Sequence, residues 1–205
     1  MENNQNTREN NTRIAKNTLM LYARMLLLMV ISLYTSRVIL DTLGIGDYGI
    51  NNVVAGVITM LSFITGSMSS AVTRFLTVAI GEGDPENSKK IFGSLLLIQV
   101  ILAAIIVVFG ETFGLWFVMN KLVIPENRMV AAMWVYQFSI LSSVIGVLMV
   151  PYNAAIIAHE KMKAFAYISI LDAVLKLVIV YMLVISPIDK LITYAILFFC
   201  ISCVD

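Results

Sequence analysis

The chain has 205 residues, 60% of them apolar and only 13% charged, and its mean hydropathy is +0.90. An ordinary soluble domain carries about a quarter charged residues, so the composition excludes that class and reads as an integral membrane protein. A formal net charge of +1 without a basic stripe gives no footprint for nucleic acid, and two cysteines, Cys200 and Cys203, are too few for a secreted disulfide scaffold.

The first seventeen residues are polar and Asn-rich. They lack the short apolar core and small-residue cleavage site of a signal peptide, so residues 1–17 read as a polar cytoplasmic segment leading into a retained first span. Apolar runs then predict an all-α bundle of about six membrane spans over 18–205. The spans fall near 18–36, 48–80, 91–119, 129–157, 165–185 and 191–204. Short connectors carry the charges, glycines and prolines. With the N-terminus inside, Arg8, Arg13, Lys16, Lys89, Lys90, Lys161 and Lys163 fall on the cytoplasmic side, against Arg37, Lys121, Arg128 and Lys190 outside. That asymmetry predicts a cytoplasmic N-terminus. The last run offers only about 14 residues, roughly 21 Å of helix against a hydrocarbon core of about 30 Å, so the expectation is the N-terminal half of a longer transporter.

In chain order, the polar residues inside these runs are the candidate functional groups, because a charge in hydrocarbon costs about 2.5–3.5 kcal/mol. In the first span Asn17, Arg24, Leu28 and Thr35 fall near one helical face, which is expected to look into the bundle; the alternative is an arginine snorkelling to the headgroups. The second span carries Asn52, Gly56, Thr59, Ser62, Gly66, Ser69, Thr73 and Thr77 at spacings of three or four. Such a stripe lines a wet pathway or lets helices pack closely. At more than about 20 residues this span must tilt, bend at its glycines or project from the membrane, with Arg74 near the inner surface. The fourth carries Gln137, Ser139, Ser143 and Gly146 before Pro151, a potential kink. In the fifth, Asp172 and Lys176 stand four apart, where opposite charges meet; the pair either binds substrate or fixes helix register.

Enzymatic chemistry finds little support. His159 is the single histidine and sits beside Glu160 and Lys161 in a connector. Cys200 and Cys203 form an isolated C-x-x-C in an apolar helix, and no nucleotide-binding loop, metal-ligand helix or nucleophile motif occurs. No catalytic residue, metal or cofactor is therefore expected.

Four strings taken together, RIAKNTLMLYARMLLLMV, GIGDYGINNVV, AIGEGDPENSKKIFGSLL and HEKMKAFAYISILDAVLKL, resemble bacterial polysaccharide biosynthesis and lipopolysaccharide export proteins. These form the flippase branch of the multidrug, oligosaccharidyl-lipid and polysaccharide exporter superfamily. The resemblance implies twelve to fourteen spans in two halves around a central cavity, rocking between inward-open and outward-open states in the bacterial cytoplasmic membrane. It implies an undecaprenyl-diphosphate-linked oligosaccharide as substrate, membrane lipids and a C-terminal half as partners, and basic cavity residues engaging the diphosphate. Arg24 matches the position type of such a residue; Lys176 is a weaker candidate. The nearest rival is a drug or cation antiporter of the same superfamily, which would use an unpaired intramembrane carboxylate, whereas Asp172 has Lys176 beside it. A membrane transferase and an inactive truncated membrane fragment are the remaining readings.

Overall fold

The computed structural model describes residues 2–60, 62–186 and 189–204, except that the side chains of 2–17, 20, 62–64, 162 and 163 lie outside the description. The described residues are an all-helical bundle: α1 (Glu2–Thr59), α2 (Ser62–Gly81), α3 (Pro85–Phe109), α4 (Leu115–Lys121), α5 (Met129–Ala158), α6 (Met162–Ile185) and α7 (Lys190–Val204). A π-helical turn (Gly110–Gly114) joins α3 to α4. Four stretches are long and apolar enough to cross a membrane: Leu21–Thr59, Pro85–Lys121, Glu126–Ala158 and Ala164–Ile185. This is the pattern of a membrane protein.

The helix boundaries follow from local chemistry. Residues 1–43 contain neither glycine nor proline, so α1 runs on well past the expected end of the first span at 36. Its break comes at Gly44, whose φ of 78° and ψ of 166° are backbone angles open to glycine and costly for residues with a Cβ. The helix resumes and ends at Thr59. The second expected span, 48–80, is thus divided between the end of α1 and α2, and the division falls between Thr59 and Ser62 instead of at Gly56 or Gly66. There the Gly56 carbonyl accepts both from the Thr59 hydroxyl, at 2.9 Å, and from the Met60 amide, at 3.2 Å. Asp84 caps α3 by accepting from the Glu86 and Asn87 amides at 2.9 and 3.2 Å, with Pro85 at the first helical position. Most of the expected inner loop is therefore the first turn of α3. Pro151 leaves α5 helical through Ala158.

α5 lies at the centre, packed on α1, α2, α3, α6 and α7. Its core face, including Ala132, Val135 and Ile140, meets Val54 and Ile58 of α1, Val118 of α4 and Leu191 of α7. α1 also runs alongside α6: Arg24 meets Phe165, and the Tyr34 and Tyr181 hydroxyls lie 3.3 Å apart. α3 runs antiparallel to α5, since Leu95 shares a cluster with Ala154 and Ala103 with Val147. Two connectors and the part of α1 around its break at Gly44 meet at one end of the bundle. There Arg128 bridges Asp47, 2.8 Å away, and Asp189, 2.6 Å away, while the Lys190 ammonium reaches the Thr42 carbonyl at 3.3 Å.

A polar cleft beside α7

A cleft of about 390 Å³ opens between α1, α6 and α7, lined by Leu28, Ser32, Thr35 and Ser36 of α1, Asp172 and Lys176 of α6, and Tyr194 and Phe198 of α7. The spacing of four residues brings the Lys176 ammonium within 2.7 Å of Asp172 Oδ2, as the sequence predicts. The ammonium has two further protons to donate. Asp172 Oδ1 and Thr35 Oγ1 are both buried and have no hydrogen-bond partner, so each keeps unspent capacity in a low-dielectric setting where an unmade bond is costly.

Arg24 lies on the same side of α1 but at a different level. Its guanidinium carbon sits 4.4 Å from the centroid of the Phe165 ring, a cation–π contact. It has no carboxylate partner among the described residues, and its Nε is buried without a hydrogen bond. Phe165 and Lys176 are eleven residues apart on α6, roughly 16 Å along the axis at 1.5 Å per residue. The Lys176 ammonium reaches back to Asp172, seven residues from Phe165, so the two cations stand at different levels of α6.

The other side of α7 carries two more cavities. A small one of about 90 Å³ lies between Asn51, Ser139, Tyr194 and Phe198. A larger one of about 390 Å³ is lined by Thr59, Thr65, Ser139, Ser142, Ser143, Gly146 and Ser202, again with Phe198. Phe198 borders all three. An apolar groove of about 430 Å³ lies apart from these, between Asn52 and Gly56 of α1, Met60 just beyond its end, and Phe109, Phe113 and Phe117.

The structure thus brings Asp172 and Lys176 together, sets Arg24 further along the same pair of helices, and places Thr59 in the hydroxyl-lined cavity. Asn52 and Gly56 face the apolar groove instead. Ser69 and Thr73 are not brought to the cleft: α2 packs chiefly on α3 and α5, and the Thr73 hydroxyl donates to the Ser69 carbonyl at 2.9 Å. The side chains of Asn17 and Ser62 lie outside the described residues.

Three polar features escaped the sequence reading. Glu111, on the π-helical turn, accepts from the Gln137 amide at 3.3 Å and has no cation among the described residues. Gln99 is fully buried in α3, with neither amide atom hydrogen-bonded. Asp47 is 9% exposed under Arg128. Glu111 and Gln99 were detectable as the carboxylate and the amide within the apolar run 91–119; the Asp47 contact joins residues remote in sequence. Cys200 and Cys203 are free and exposed. Compared with family models, curated proteins and solved structures, the chain matches none.

Proposed function

We propose that this chain forms one lobe of a flippase that moves lipid-linked oligosaccharide across the bacterial cytoplasmic membrane, with its N-terminus in the cytoplasm. The observation that carries the reading is Arg24, a guanidinium with no acidic partner among the described residues, held beside a cleft that contains a second cation, Lys176. A diphosphate is a multivalent anion that cannot cross hydrocarbon unaided, and a guanidinium away from bulk water attracts it strongly. In this reading Arg24, on the inner side, receives the diphosphate, and Lys176 takes it over farther along α6, sharing its charge between phosphate and Asp172. The lipid tail stays in the bilayer. No bond is made or broken; transport follows from different affinities of the two states for the headgroup.

The test is surface polysaccharide export in cells whose only copy carries Arg24→Ala. Export is expected to fall at least tenfold with the amount of protein in the membrane unchanged. Undiminished export would remove Arg24 from the mechanism and leave the proposal without support.

A second reading, a cation-coupled antiporter, draws on Glu111, a carboxylate with no cation partner among the described residues. Glu111→Gln distinguishes the two. A flippase with its anion site at Arg24 and Lys176 keeps export in this variant, whereas an antiporter using Glu111 loses its dependence on the ion gradient.

A further inference from the structure

The cavity on the far side of α7 differs chemically from the cleft. No charged side chain lines it, whereas hydroxyls from α1, α2, α5 and α7 converge on it. Thr59, Ser139 and Ser202 each donate to a carbonyl of their own helix, at 2.9, 2.7 and 3.2 Å. Their oxygens keep free lone pairs and are left as acceptors. Ser142 Oγ is buried and makes no hydrogen bond at all.

A second observation is independent of these side chains. α1 ends at Thr59, at this cavity, where a stretch long and apolar enough to cross a membrane also ends. The last carbonyls of a helix lie outside its ladder; at this end the Gly56 carbonyl accepts from the Met60 amide at 3.2 Å and the Thr59 hydroxyl at 2.9 Å, while Ile58 and Thr59 line the cavity. The end of α1 thus sets uncharged backbone carbonyls at the cavity's edge. At about 390 Å³ the space lies within the roughly 300–1,000 Å³ typical of small-molecule sites. The aromatic wall is Phe198, which also borders the cleft.

We infer that this cavity seats the neutral sugar of the substrate headgroup: Thr59, Ser139, Ser143 and Ser202 accept from its hydroxyls, Ser142 takes the partner it lacks, and Phe198 stands between sugar and phosphate subsites. Neutral sugars are rich in O–H donors and carry no charge, which is what a cavity of acceptors without cations or carboxylates recognises. The inference rests on the flippase reading, since the phosphate would occupy the adjoining cleft.

The experiment uses the purified chain in lipid nanodiscs and two probes, undecaprenyl diphosphate and the same lipid bearing one neutral hexose. The sugar-bearing probe is expected to bind at least tenfold more tightly. Ser143→Leu, which fills the cavity, should bring the two probes to equal affinity, while Ser143→Thr, which keeps a hydroxyl, preserves the preference. Equal binding of both probes to the unaltered protein, or an undiminished preference in Ser143→Leu, would overturn the inference. A separate arm reads the cavity without the phosphate: Ser143→Cys in a Cys200→Ser, Cys203→Ser background is labelled with maleimide in the presence of a panel of neutral mono- and disaccharides. If neither lipid binds but a sugar slows labelling at least threefold, the sugar site stands and the flippase reading falls. If no sugar in the panel slows labelling of the Ser143→Cys variant, the sugar site itself is refuted.

Discussion

Gly114→Ala should be destabilising, and the structure says why it should become stabilising in one second background. Tyr136 is fully buried and donates its hydroxyl to the Gly110 carbonyl at 2.6 Å, within the π-helical turn. A Cβ on Gly114 would fall on that hydroxyl, while the ring carbon behind it is at ordinary contact distance, 3.4 Å. Displacing the hydroxyl forfeits a hydrogen bond of about 0.5–1.5 kcal/mol and overpacks the site by about 1–3 kcal/mol. Replacing glycine by alanine in a helix interior returns about 1 kcal/mol. The net cost is therefore about 1–3 kcal/mol, or a few degrees of melting temperature at roughly 2–4 °C per kcal/mol. Tyr136→Phe alone loses only the hydroxyl's bond, because the Leu115 amide still donates to the Gly110 carbonyl. In that background nothing obstructs the new methyl, and Gly114→Ala is expected to stabilise by about 1 kcal/mol. Gly110→Ala meets the flexible end of the Ile140 side chain at 3.1 Å, with the Tyr136 hydroxyl at an ordinary 3.8 Å, and should cost less than Gly114→Ala. Thermal and SDS-titrated unfolding in detergent measure all four variants. Additive effects of Gly114→Ala and Tyr136→Phe would refute the argument that the glycine exists to admit the hydroxyl.

The other expectations concern charge and buried polarity. Arg128→Lys should lose about 1–2 kcal/mol in the same assay, because a single ammonium does not reproduce the guanidinium fork that joins Asp47 to Asp189; an unchanged midpoint would make the clamp a surface pair of no consequence. Gln99→Leu should gain about 1–3 kcal/mol by removing a buried amide with no partner, and a loss of stability would reveal a partner for it. Lys176→Ala strands Asp172 and should destabilise, whereas Lys176→Ala with Asp172→Ala should recover most of the stability. If the double variant also exports normally, the pair serves helix register alone.

Helicity and the candidate charges were legible because both depend on short-range chemistry. The four-residue spacing of Asp172 and Lys176 acts within one turn of helix; the glycine-free run before Gly44 and the Asp84 cap with Pro85 are as local, yet the expected first span ends at 36 and the expected connector covers 81–90. The position of the break in the second expected span was not legible. Gly56 and Gly66 are permissive, but the division falls between Thr59 and Ser62, where the chain turns beside α5 and α7. The polar stripe on that span misled for a related reason: its residues share a helical period, yet the break sends Asn52 and Gly56 to an apolar groove, Thr59 to a hydroxyl-lined cavity and Thr73 to a carbonyl of its own helix.

By itself the sequence determined an apolar all-helical chain and which side chains bear charge within it, since hydropathy and helical period are properties of neighbouring residues. Only the tertiary structure decided which of those side chains meet. It set Arg24 against Phe165, eleven residues along α6 from Lys176, joined Asp47, Arg128 and Asp189 from three separate parts of the chain, and gathered hydroxyls from four helices around one cavity beside Phe198. Such contacts join residues tens of positions apart, and they are fixed by how whole helices pack.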